Sequence, residues 1–247
     1  IADAVLQEVD ILELGCLWTD EIGTSALWHE FLNLGIPIAM SAGSDVMNDF
    51  YRTMAVGATR VYVKPEGELT EQSFLEALKK GRSFVSNGPQ LLFSVDDNEV
   101  GGIVTSKKSK ASWLLNVYSP VPYEKVELFV NGKVVWTKKS KGGQSETYKG
   151  SIEIPEGGWV TARVSGGKSD WPMMDSYPFA ESSPIWFYAI GSTSANTKIE
   201  AARKLLKAFE VSDKIVKTNY LNKEIPNVSA HFTNAQVKLL NIIKTGE

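Results

Sequence analysis

Residues 24–45 read TSALWHEFLNLGIPIAMSAGSD. Leu27, Phe31 and Leu34 recur at i, i+4 and i+7, the spacing that lines one face of a helix. Gly35 follows at the position where helices commonly end in a left-handed turn. Residues 36–41 then form a short apolar run entered through Pro37, which reads as a buried strand. Ala42-Gly43-Ser44-Asp45 closes it with small residues and one carboxylate. A helix feeding a buried strand of this kind is half of a βαβ unit.

The flanking sequence repeats the pattern. Residues 10–14 read as a buried strand before the helix, and 60–63 as a third strand after it. Thr70 is a good N-cap for a second helix, with Phe74, Leu75 and Leu78 on one face and Gly81 at its end. Strands alternating with helices predict an α/β unit with a parallel sheet over residues 1–89.

The pattern changes at Ser86-Asn87-Gly88-Pro89. Short strand-like runs follow at 90–95, 111–118, 125–130, 133–137, 147–154 and 159–164. Asn131-Gly132, between two apolar runs, marks a two-residue hairpin, because both central positions need positive φ. This spacing predicts an all-β antiparallel sandwich over 90–191. Ile199, Ala202, Leu205, Leu206 and Phe209, then Val237, Leu240 and Ile243, predict a helical tail over 192–247.

The 247 residues carry 26 Lys and Arg against 29 Asp and Glu, a net charge of −3. That balance argues against general nucleic-acid binding, which needs a basic face. The longest apolar runs fall well short of a membrane span. Cys16 is the single cysteine, so there is no intramolecular disulfide framework.

Few residues suggest chemistry. Asp45 ends a buried strand, where a parallel α/β architecture places its ligand crevice; it reads either as a turn former or as a metal ligand. Arg60 and Arg52 could meet an anionic substrate group or pair with a nearby carboxylate. Asn87 reads as a structural turn or as a cleft-lining group, and Asp49 as a loop cap. Ser44 lacks the Gly-x-Ser-x-Gly elbow, and Cys16 has no histidine placed beside it. Trp171, Tyr177, Phe179, Trp186, Phe187 and Tyr188 form a late aromatic cluster, either core or a sugar-stacking surface.

Taken in order, Trp28-His29-Glu30-Phe31-Leu32-Asn33-Leu34-Gly35-Ile36-Pro37, Ala42-Gly43-Ser44-Asp45, Thr59-Arg60-Val61-Tyr62-Val63, Phe74-Leu75-Glu76-Ala77-Leu78 and Ser83-Phe84-Val85-Ser86-Asn87-Gly88-Pro89 carry a resemblance. So do the hairpin Val130-Asn131-Gly132-Lys133-Val134-Val135 and Ser183-Pro184-Ile185. The chain resembles the C-terminal portion of the CehA/McbA-type metallohydrolases of the PHP (polymerase and histidinol phosphatase) superfamily. That resemblance implies the end of a distorted (β/α)7 barrel, a β-sandwich and a helical tail. It implies divalent metal ions (Zn, Mn or Fe) that activate water against a phosphoester, ester or carbamate of a small-molecule substrate. Asp45 would be a metal ligand on the last barrel strand. An extracytoplasmic location is compatible with it.

The chain also departs from the family pattern. Met47 stands where many relatives carry a liganding histidine, and Ala180-Glu181 where relatives often carry Ala-His. His29 and His231 are the only histidines, and the early His-x-His motif has no counterpart. A catalytic metal centre would therefore need ligands outside this chain, from a missing N-terminal barrel half on the same or another polypeptide. The alternatives are a non-catalytic ligand- or glycan-binding protein on a degenerate PHP barrel, or an interaction module.

Overall fold

The structure, a computed structural model, describes residues 1–16, 18–46, 55–106, 108–219 and 226–247. Met47, Asp49 and Arg52 lie outside the described residues. The chain opens with α1 (Ala2–Leu6), β1 (Ile11–Gly15), α2 (Glu21–Asn33) and β2 (Ala39–Ala42). β1 and β2 pair in parallel from Ile11↔Ala39 to Gly15↔Ala42, with α2 as their crossover. This is the predicted βαβ unit. The helix begins three residues earlier than the apolar spacing indicates, with Asp20 at its N-cap.

Next come β3 (Arg60–Val63), α3 (Glu71–Lys79) and β4 (Ser83–Ser86). Thr70 caps α3 as expected, its side chain accepting the Ser73 N–H at 3.1 Å while Ser73 Oγ accepts the Thr70 N–H at 2.9 Å. The third strand departs from expectation: β3 pairs with β4 antiparallel, from Arg60↔Ser86 to Val63↔Ser83. All four β3 residues are only half-buried. A central strand of a parallel sheet is covered on both faces, and β3 is not. Among the described residues the parallel pairing of the N-terminal unit is confined to β1 and β2, and no barrel closes.

The strands that follow are β5 (Gln90–Val95), β6 (Asn98–Glu99), β7 (Ile103–Val104), β8 (Lys110–Tyr118), β9 (Lys125–Val130), β10 (Lys133–Lys139), β11 (Ser145–Glu153), β12 (Gly158–Ser165), β13 (Phe179–Ser182) and β14 (Ile185–Phe187). The larger sheet runs β10-β9-β12-β13-β4-β3, with β14 on β12 and β7 on β14. The smaller runs β11-β8-β5-β6. β3 and β4 are thus part of the larger sheet, in which every pair but β14–β7 is antiparallel, so the sheet begins before residue 89. The Asn131-Gly132 turn has φ of 50° and 75° and joins β9 to β10, as its sequence requires.

The two sheets face each other across an apolar core. Leu91, Phe93, Trp113, Leu115 and Val117 of the small sheet pack toward Val126, Leu128, Val160, Ala162 and Val164 of the large one. β8 alternates buried and exposed residues, with its second face open. β12 is buried at all eight positions. Its other face is covered by α2 through Trp28, Phe31 and Leu32, in a second core that also holds Trp159, Phe129 and Phe179. α4 (Ala195–Asn219) and α5 (Pro226–Thr245) extend that core through Leu205, Phe209 and Leu239. The chain is therefore mixed α/β, dominated by antiparallel sheets, with a helical tail. No helix is long and apolar enough to cross a membrane among the described residues.

Candidate functional site

The carboxyl ends of β1 and β2 form a small open shelf. Gly15 ends β1, and its carbonyl accepts the Gly43 N–H at 3.0 Å. A Cβ on Gly15 would lie 3.2 Å from Thr59 Cγ2 and 3.7 Å from Glu21 Cγ, so glycine lets these groups close in. Ser44 is buried; its Oγ accepts the Gly57 N–H at 2.7 Å, tying the strand end to the segment before β3. Its hydroxyl is therefore a structural tie. Asp45 is exposed at φ 44°, a left-handed conformation that Asp tolerates better than most residues. It is the one candidate ligand on this shelf that points to solvent from the motif itself.

Glu21, the first residue of α2, hangs over the same shelf at 6% exposure. Tyr177 donates its hydroxyl to Glu21 Oε2 at 3.1 Å. Burial pushes the Glu21 carboxyl above its ordinary range, and the charges of Asp175 and Asp20 add to this. The hydroxyl of Tyr177 and the Glu21 N–H work against the rise. Tyr177 is itself raised, first by burial and then by Glu21. The raised carboxyl and the phenol form a buried hydrogen-bonded pair at the strand ends, and shifted groups of this kind are candidates for a functional site. Neither residue stands out in the sequence, since their pairing spans 156 positions.

Asn87 sits under this pair. Its Nδ2 donates to Asp175 Oδ2 at 2.9 Å and to the Tyr177 carbonyl at 2.8 Å. Its Oδ1 accepts the Phe179 N–H at 2.8 Å. The amide is fully engaged, so Asn87 staples the 175–179 segment over the shelf, which is the structural alternative of its two readings. Arg60 keeps a looser position. Its Nε donates to Tyr62 Oη at 2.7 Å, its Nη1 to the Gly57 carbonyl, and its guanidinium lies 5.3 Å from the Tyr62 ring centroid. Its described partners are all neutral. Arg60 and Asn87 line one cleft of about 240 Å³ with Gly57, Pro120, Trp171 and Met173. Arg52 lies outside the described residues.

These groups do not by themselves fit a divalent metal centre. Such a centre needs His and carboxylate atoms converging on a point. Among the described residues the one such group is Asp3, Glu8 and His231, where α5 meets the start of the chain, away from the motif. There His231 Nε2 lies 2.6 Å from Asp3 Oδ1 and 3.7 Å from Glu8 Oε2. At the shelf, Asp45 is the motif's one carboxylate, and Glu13 of β1 brings its Oε1 to 3.5 Å from where a Cβ on Gly43 would lie; among the described residues no histidine joins them.

The most concentrated polar cluster lies elsewhere, at Glu181 on β13. Its carboxylate is fully buried and accepts Ser25 Oγ at 2.6 Å, Arg163 Nε at 3.0 Å and His29 Nε2 at 2.8 Å. Burial alone would raise its pKa, but Arg163 and His29 outweigh this and hold it down at about 2. Arg163 also lies over the Phe129 ring at 4.3 Å, and His29 packs on Trp159 at 4.7 Å between ring centroids. All four residues are buried, so the cluster locks α2 to the large sheet and leaves His29 engaged with Glu181. The local signal was a lone carboxylate in Phe179-Ala180-Glu181-Ser182, an otherwise apolar strand.

The remaining candidates resolve by burial. Phe179, Trp186 and Phe187 are core, whereas Trp171 is 79% exposed. Cys16 is buried, its N–H donating to Thr19 Oγ1 at 2.7 Å. A cavity of about 670 Å³ lies between the β3–β4 edge and the small sheet. It is lined mainly by Tyr62, Phe84, Leu92 and Leu114, and Lys64 and Glu99 pair across it at 2.5 Å.

No family model and no curated protein matches the chain. Two solved structures show weak likeness. The crystal structure of CHIR-AB1 is 18% identical over 39% of this chain and 94% of that one, with a TM-score of 0.24. The neutron crystallographic structure of a Jonesia denitrificans lytic polysaccharide monooxygenase is 14% identical over 53% of this chain and 78% of that one, with a TM-score of 0.25. Scores this low carry no argument about fold or activity.

Proposed function

We propose that the chain is part of a PHP-type, CehA/McbA-like metal-dependent hydrolase and brings to it the shelf at the ends of β1 and β2. The observation that carries this reading is the placement of Ala42-Gly43-Ser44-Asp45 at the carboxyl end of a strand parallel to β1. Glu21, buried and with its carboxyl pushed above the ordinary range, hangs over the same end. Asp45 is the ligand this chain contributes, and the rest of the metal set comes from residues outside it. Zn, Mn or Fe in such a centre would lower the pKa of bound water for attack on a phosphoester, ester or carbamate.

The test is elemental analysis of the longest natural form of the protein, wild type against Asp45→Asn. Asparagine tolerates the left-handed backbone and removes the charge, so stability should change by no more than about 0.5 kcal/mol. Two or more metal equivalents in the wild type, with at least one lost in the variant, support the reading. A metal-free wild type, or a variant with undiminished metal, overturns it.

A second reading has its own observation. Trp171 is exposed beside Arg60, whose described partners are neutral, and both line one cleft. That is the arrangement of a ligand-binding protein, and it needs no metal.

A further inference from the structure

We infer that the Arg60–Trp171 cleft is a binding site for a small anion carrying one ring. The inference deepens the ligand-binding reading and rests on it, and it is independent of metal at Asp45. Arg60 supplies the cation. Its Nε and Nη1 are held by the Tyr62 hydroxyl and the Gly57 carbonyl, which fix the plane of the guanidinium. Among the described residues its Nη2 has no hydrogen-bond partner, and the described lining of the cleft contains no carboxylate. A guanidinium held by neutral groups keeps its full charge available, and its fork geometry suits carboxylate or phosphate oxygens.

Trp171 supplies the second half. The indole is 79% exposed on the wall of this concave surface, so its face is open to a flat ligand. Met173 is buried beneath this segment, and Val56, 81% exposed, stands on the same rim. A ring on the indole and an anionic group on Arg60 would occupy the same cleft. Two acids lie in this segment and neither lines the cleft: Asp170 Oδ1 accepts the Trp171 N–H at 2.9 Å, and Asp175 has its oxygens on Asn87 Nδ2 and the Ser176 N–H. The volume sets the size of the ligand. About 240 Å³ is below the roughly 300–1,000 Å³ of drug-sized sites, leaving room for one ring and one anionic group.

Calorimetric titration of the 247-residue chain with phenyl phosphate tests this, with inorganic phosphate and benzyl alcohol as probes lacking the ring and the charge. The expected result is saturable binding of phenyl phosphate, with both control probes about tenfold or more weaker. Arg60→Gln should weaken phenyl phosphate about tenfold or more, and Arg60→Lys by less. Trp171→Ala should weaken it several-fold. Because Trp171 is exposed, that variant keeps its fold, checked by an unchanged thermal midpoint. Benzyl alcohol binding as tightly as phenyl phosphate would overturn the anion assignment and leave the cleft a binding site. Inorganic phosphate binding as tightly would overturn the ring. Absence of binding by all three, or binding indifferent to both Arg60→Gln and Trp171→Ala, would overturn the site itself.

Discussion

Glu181 and Glu21 are two buried glutamates whose pKa values move in opposite directions. One is fully buried and held down at about 2; the other is 6% exposed and pushed up. Burial disfavours charge at both, so burial does not separate them. Their neighbours do. Glu181 meets a guanidinium, an imidazole and a hydroxyl, all able to donate to an ionised carboxylate. Glu21 meets a phenol and the fields of two further carboxylates. The first arrangement stores an ion pair inside the fold. The second sets a buried carboxyl against a phenol and two further acids at the strand ends, and its pKa rises.

The comparison breaks most sharply if Arg163 is removed. Arg163→Met leaves the Glu181 charge buried without its main partner and should cost about 3–5 kcal/mol, read from urea unfolding. A loss below about 1 kcal/mol would mean that the network is not what locks α2 to the sheet.

The next largest effect is in acid. The folded pKa of Glu181 lies below its unfolded value of 4.5, so between pH 4.5 and about 2 the unfolded chain binds more protons. Stability should fall as pH drops through that window, by on the order of 1–3 kcal/mol from this group. Thermal midpoints measured across the window should fall less steeply in Glu181→Gln than in the wild type.

The smallest effect sharpens the other side. The folded pKa of Glu21 is raised, so its protonated form is the one the fold favours, and its contribution is lost as pH rises above 4.5 toward the folded value. Glu21→Gln should therefore stay within about 1 kcal/mol of the wild type at pH 7, the scale of a charge at a helix N-terminus. Its stability should also change less with pH above 4.5. A large loss at neutral pH would show that an ionised Glu21 supports the fold and would erase the contrast with Glu181.

Local chemistry was legible where the decision is local. Thr70 caps α3 because its hydroxyl reaches an N–H three residues on. Asn131-Gly132 turns because both residues adopt positive φ cheaply. The alternation along β8, the βαβ unit of β1, α2 and β2, and the two tail helices follow from periodicity for the same reason. Asp45 falls at the end of a parallel strand, as its motif indicates.

Tertiary structure alone decided which face each strand meets and which distant side chains become neighbours. β3 reads in the sequence as a third strand of a parallel sheet, yet it pairs antiparallel with β4 at the edge of the large sheet, where all four of its residues are only half-buried. Ser25 and His29 reach Glu181 across 156 and 152 residues, and Trp171 comes to share a cleft with Arg60. A period of 2 or 3.6 residues tells which way a side chain points along its own element. It carries no record of what the opposing surface brings, and partners at that range are chosen by burying both cores at once.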